Sequence, residues 1–185
     1  MGFMIEDGQG GGLLAGVTTR NRFRVDSLSA IRGFYVSRDD GRMFNTISII
    51  SSAAAGNMVL YFKNDSTTLD YYVDILRVGA VEMVLWKVHE VTGTAAGGSA
   101  LTPVNLNLKS GVAASATVRG DGSITGLTSS NVIAAKRTSA NSDGDIPFDD
   151  VLILGTNNAI AVEYDTGTTG IAEVLMRGFF GDPEE

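Results

Sequence analysis

Short apolar runs separated by turn-forming residues recur along most of this chain, and that spacing constrains its fold more than any other feature. At residues 43–50 apolar and small polar side chains alternate as a half-buried strand requires. The small-residue stretch Ala53-Ala54-Ala55-Gly56-Asn57 interrupts the pattern, residues 58–62 resume it, and Asn64-Asp65-Ser66 turns the chain. Residues 71–78 and 81–88 read as two further strands, with Gly79-Ala80 marking a tight bend or bulge. The glycine, alanine and threonine between 92 and 99 have no periodic apolar face and read as an exposed loop. Strands are also expected at 102–108, 114–119, 133–138, 151–154, 159–164 and 171–179, with turns at Asp121-Gly122, Asn157-Asn158 and Thr166-Gly167. About eight strands at such intervals predict an all-β chain folded as a jelly-roll-like β-sandwich. No internal repeat points to a propeller or solenoid.

Length and composition narrow the function. A chain of 185 residues is long enough for one domain with a proper core. The formal charge of −7 opposes binding to phosphates, which needs lysine and arginine gathered on one face, so no nucleic-acid partner is expected. The absence of cysteine excludes disulfides, thiolate zinc sites and a cysteine nucleophile. No stretch approaches the roughly 20 apolar residues of a membrane span, and no secretory signal is visible, so synthesis in the cytosol without a membrane partner is expected.

The opening segment has a different character. Four of the five residues 8–12 are glycine, and ordering glycine costs more backbone entropy than ordering any other residue. Residues 1–25 are therefore expected to form an extended arm that gains order only against a partner, ahead of a single β-sandwich domain at 26–185. The run Gly10-Gly11-Gly12-Leu13-Leu14-Ala15 satisfies the G-x-G-x-x-A spacing of dinucleotide sites. That spacing carries weight only between a strand and a helix, and neither flanks it.

The arm also carries a resemblance. Its Ile5-Glu6-Asp7-Gly8 start, glycine run and Asn21-Arg22-Phe23-Arg24-Val25 segment resemble the N-terminus of a group of tailed-phage virion structural proteins. Residues 58–66, Pro103-Val104-Asn105-Leu106-Asn107, residues 159–164 and Arg177-Gly178-Phe179-Phe180 are similar to later parts of the same proteins. None of these segments is a chemical motif. The resemblance implies assembly in place of catalysis and transfers no functional residue.

Candidate chemistry elsewhere is sparse. His89 is the sole histidine, so the paired histidines of a zincin are absent, and no G-x-S-x-G element accompanies any serine for a triad. It is expected at the surface or rim. The acidic run from Asn141 to Asp150 gathers oxygen ligands of the kind calcium takes, yet lacks the glutamate of an EF-hand loop and reads as a solvated acidic loop. Arg119-Gly120-Asp121 spells an adhesion tripeptide, for which a hairpin turn is the simpler explanation. Asn64-Asp65-Ser66 is a glycosylation sequon without a secretory signal. The aromatics Tyr71, Tyr72, Trp86, Phe179 and Phe180 are expected in the core or a subunit contact, the alternative being a sugar-stacking platform.

Together these readings lead to the expectation of a non-enzymatic capsid decoration or cement protein on the outer surface of a phage head. It would need no cofactor or metal. The expected partners are the major capsid protein and further copies of the chain, as a homotrimer. Arm residues Ile5, Leu13, Leu14, Val17, Arg20, Arg22 and Arg24 are the expected contacts, the arginines through forked donors to acidic groups and the apolar residues through buried area. Two alternatives stand beside this one: a tail, baseplate or fibre-anchoring component, and a carbohydrate-binding adhesion module whose partner is a surface glycan.

Overall fold

A computed structural model of the protein describes residues 36–166 and 168–183. Among these residues a π-type turn, Val36–Asp40, precedes nine strands: β1 Met43–Ala53, β2 Asn57–Asn64, β3 Asp70–Ala80, β4 Val84–Ala100, β5 Val104–Asn105, β6 Ala116–Thr138, β7 Ser142–Leu154, β8 Ala159–Thr166 and β9 Gly170–Gly181. One antiparallel sheet runs β5-β1-β9-β3-β7, and the other joins β2, β8, β4 and β6. With the two-residue β5 set aside, each sheet interleaves early and late strands, β1-β9-β3-β7 against β2-β8-β4-β6. That order is a jelly roll, two Greek keys wrapped together. The all-β sandwich read from the sequence is thus the observed fold.

The second sheet carries a departure. Strand β6 pairs with β4 from Thr138 back to Arg119, and its first residues also pair with the free side of β2, which closes the four strands into a small barrel. Such curling needs sharp local twist, and the β4–β6 ribbon supplies it through repeated register shifts. Gly93 and Gly126 flank one such shift, Gly93 pairing with Leu127, with φ of 100° and 77°. A Cβ on either would lie 2.5 Å from a backbone carbonyl oxygen.

Several expectations change here. Residues 92–99 form the outer half of β4 instead of a loop, because backbone pairing with β6 holds them although most face solvent. The strands expected at 114–119 and 133–138 are the two ends of one continuous strand. Asp121-Gly122 is an irregularity within it and not a hairpin turn: Asp121, at φ 54°, accepts a hydrogen bond from Ile49 N at 2.8 Å while its own N–H donates to Ser48 Oγ at 2.9 Å. The tripeptide Arg119-Gly120-Asp121 therefore fastens β6 to the edge of β1. The strand expected at 102–108 shrinks to Val104–Asn105, and β3 runs on through Gly79-Ala80.

The main core lies between the two sheets. Phe62 and Tyr71 pack in a tilted pair with centroids 4.3 Å apart, Tyr71 meets Phe180 edge-on at 4.9 Å, and Trp86 meets Tyr164 at 5.5 Å. A second, smaller core of Tyr61, Val91, Ile124, Ala159 and Ala161 draws a side chain from every strand of the barrel. The Asn64 amide is wholly buried, donating to Leu69 O and Leu154 O at 2.9 and 2.8 Å, so the sequon is a structural corner.

Tyr71 offers a test of core energetics. Its hydroxyl is buried without a hydrogen-bond partner among the described residues, and burial, with the Asp74 charge adding to it, pushes the phenol far above the ordinary tyrosine range. Tyr71→Phe removes an unpaid desolvation cost and is expected to raise stability by about 1 kcal/mol, read as a higher denaturant midpoint at unchanged slope. The pH sign follows from the raised folded value. The unfolded phenol ionises near pH 10 while the folded one stays neutral, so wild-type stability falls as pH rises above about 10, and the variant loses that tyrosine's share of the fall.

Candidate interaction surface

The outward face of the five-stranded sheet is divided into two halves. Along β1, Phe44, Thr46, Ser48 and Ile50 turn inward, leaving Asn45, Ile47 and Ile49 outward. Ser48 is drawn in because its hydroxyl donates to Val59 O at 2.7 Å and accepts from Asp121 N. Ile47 and Ile49 are therefore 48% and 51% exposed, beside Val104 at 58% and Leu106 at 39%. These side chains border a depression of about 280 Å³ lined by Asn45, Ile47, Leu101, Thr102, Val104 and Leu106, with no charged residue among them. A second depression, beyond β1 on the β9 side, shares Asn45 with the first. The Asn45 Oδ1 atom is buried and has no hydrogen-bond partner among the described residues.

The other half of the face is charged. Arg77 donates from Nε and Nη2 to the two carboxylate oxygens of Asp145, at 2.6 and 3.1 Å, with Asp143 at 3.6 Å; Arg177 pairs with Asp74 at 2.6 Å. The hydrogen bond from Arg77 holds the Asp145 carboxyl below the usual aspartate range and raises Arg77 in turn. This corrects the reading of residues 141–150 as a loop: they form most of the edge strand β7. An unpaired edge invites another strand, and β7 blunts it with Pro147, four aspartates and a kink where Asp149 and Asp150 both take positive φ, 48° and 64°. The acidic run is edge protection. Among the described residues no three His, Asp or Glu side chains gather as a metal site.

His89 also differs from expectation. It is buried, not at the surface, because β4 continues past it and curls over the barrel. Its Nε2 lies 2.6 Å from Glu163 Oε2 on β8, and Lys87 pairs with Asp165 at 2.8 Å on the same two strands. Glu163 is the one hydrogen-bond partner His89 has among the described residues. The pair cross-links β4 and β8 and presents no nucleophile. The aromatics Tyr71, Tyr72, Trp86, Phe179 and Phe180 are all buried, which leaves none of their ring faces open to a sugar.

The expected arm contacts Ile5, Leu13, Leu14, Val17, Arg20, Arg22 and Arg24 lie outside the described residues. The apolar β1–β5 face was not anticipated from sequence. Its signal is the pair Ile47 and Ile49, which falls out of phase with Phe44 and Ile50 in the same strand. Compared with known protein families, with curated proteins and with solved structures, the chain matches none.

Proposed function

We propose that this chain is a non-enzymatic structural protein of a tailed-phage particle, a jelly-roll unit that decorates and cements the outside of the head. The domain buries apolar surface against copies of itself, and the N-terminal segment orders along the major capsid protein. The observation that carries the reading is a depression lined by no charged residue and bordered by exposed apolar side chains on one half of a sheet face of a jelly roll: exposed apolar patches mark contact surfaces, and jelly rolls recur as capsid and lectin domains. The step from architecture to particle is analogy of fold, joined to the resemblance of the glycine-rich N-terminal segment.

Copy number in purified particles, measured by quantitative mass spectrometry against the major capsid protein, tests it. A ratio near that of the capsid protein supports decoration of the head. A ratio far below it assigns the chain to the tail, the baseplate or a fibre anchor, and absence from the particle overturns the reading altogether. Removing the residues before Arg22 is expected to leave a folded domain that no longer binds capsids; retained binding excludes the arm as the attachment.

A further inference from the structure

We propose that the depression beside Gly79, on the outward face of the five-stranded sheet, is a binding site for one pyranose ring of a saccharide. The inference goes beyond the structural role proposed above and does not depend on it.

The shape of the site follows from one missing side chain. On β3, Leu76 and Val78 are buried in the core, so Arg77 and Gly79 face outward. Gly79 pairs with Glu173 of β9 on one side and with Asp143 of β7 on the other. The two acidic residues therefore stand two strand spacings apart, about 10 Å, with bare backbone between them. Arg77 closes one end, and Val81 and Ile171, 41% and 50% exposed, close the other. The depression encloses about 350 Å³, a volume typical of small-ligand sites and ample for a single sugar ring. A glycine inside a strand often marks a place where a ligand approaches the backbone closely.

The lining selects a neutral ligand rich in hydroxyl groups. Arg77 is held by Asp145 and lies 3.6 Å from Asp143, so the walls present both signs of charge and neither an anion nor a cation meets a uniform field. The Glu173 carboxylate feels the Arg77 charge yet accepts no hydrogen bond among the described residues. Glu173 and Asp143 offer acceptors to hydroxyl donors on opposite sides of one ring, and the Asn141 carboxamide supplies both a donor and an acceptor. Val81 and Ile171 give apolar surface to the ring C–H groups.

The walls are also fixed in advance. Val81 N–H donates to Ile171 O at 3.2 Å and Asn141 N–H donates to Val81 O at 3.0 Å, which ties one end together. The paired bonds from Arg77 to Asp145, at 2.6 and 3.1 Å, hold the other. Walls held in this way lose little freedom when a ligand enters.

Amide chemical shifts of the isotope-labelled full chain test the site. The probes are glucose, galactose, mannose and N-acetylglucosamine and their methyl glycosides, each added up to about 50 mM to reach millimolar affinity. At least one is expected to shift the amides of Gly79, Val81, Asn141 and Ser142 together and saturably. Equal binding of a sugar and its glycoside assigns the site to a ring within a glycan, whose anomeric oxygen is likewise substituted; binding of the free sugar alone assigns it to a soluble saccharide. Gly79→Val is expected to abolish the shifts. Its Cβ makes only ordinary contact, 3.4 Å from Asp143 Cβ, and its φ lies outside the left-handed region, so the strand accepts the side chain that fills the depression. Glu173→Ala, at an exposed position, is expected to weaken binding about tenfold. Far-UV circular dichroism checks both folds, and should Gly79→Val misfold, Glu173→Ala decides. No clustered shift from any of these probes, shifts centred elsewhere on the domain, or undiminished binding by a folded variant overturns the inference. Copy number in particles bears on none of these readings, so failure here leaves the particle assignment to its own test.

Discussion

Replacing Trp86 with alanine is expected to lower the stability of the domain by about 3–5 kcal/mol, the largest loss expected from truncating any core side chain. Trp86 is fully buried on β4 between Val84 and Val88, which point into the same core. Its ring meets Tyr164 edge-on at 5.5 Å with an interplanar angle of 81°, an arrangement favourable beyond the area it buries. The indole Nε1 donates to Thr138 Oγ1 at 3.1 Å, so truncation also strips a buried hydroxyl of its donor. The cavity cannot easily collapse, because the strands on both sides, β8 and β6, are held in register by their own ladders. Trp86→Phe keeps much of the volume but loses the Thr138 bond, and should fall between wild type and alanine. Trp86 is the sole tryptophan, so denaturant unfolding must be followed by circular dichroism. A loss under about 1 kcal/mol for the alanine variant would show that the site repacks and that this account of the core is wrong.

How far the sequence discloses this architecture depends on whether burial or backbone pairing decides a segment. Where burial decides, the pattern was legible. The runs at 58–62, 71–78, 159–164 and 171–179 each lie within an observed strand, because their apolar residues fill the space between two sheets. Where pairing decides, the pattern was silent. Residues 92–99 face solvent and carry no apolar period, yet they continue the ladder with β6 on one side, through register shifts, while the buried half of β4 pairs with both β6 and β8. Asp143 to Asp150 look like a solvated loop for a related reason: an edge strand uses charge and a proline to repel other strands, and those are also the residues of loops.

The interaction surface was hidden by a conflict of phase within β1. Thr46 and Ser48 are 2% and 0% exposed, while Ile47 and Ile49 are half exposed. Hydrophobicity alone would bury the isoleucines and turn the polar pair outward. The opposite phase holds because Phe44 and Ile50 anchor the inward side and Ser48 links β1 to Val59 O and Asp121 N. A one-residue slip would exchange the two sets, so the polar anchors fix the register that exposes the apolar ones. Similarly, His89 is isolated in sequence and gains its partner Glu163 only through the β4–β8 pairing, 74 residues away along the chain.

The same sheet contains a glycine whose importance comes from packing alone. Gly178→Ala is expected to destabilise the protein by about 3 kcal/mol, and Gly178→Val to prevent folding. Gly178 lies on β9, in the middle of its sheet, opposite Phe44 of β1 and Val73 of β3. A Cβ there would meet Tyr72 O at 2.3 Å and the Tyr71 ring at 2.7 and 2.8 Å. The carbonyl belongs to the strand hydrogen-bonded to β9, so it retreats only by opening the ladder; the ring is wedged between Phe62 and Phe180. Neither obstacle is the free end of a flexible side chain. The φ of Gly178 is not in the left-handed region, so conformational strain contributes nothing and the cost is steric overlap. Gly111 supplies the contrast: it also lacks a positive φ and an added Cβ would meet nothing within 4 Å, so Gly111→Ala should change stability by less than about 0.5 kcal/mol. Denaturant midpoints for the two alanine variants separate the explanations. Equal, small losses would mean that β3 and β9 yield to a methyl group. A large loss at Gly178 alone would mean that their close approach holds the aromatic core under β9 and, through β9, the β1 face above it.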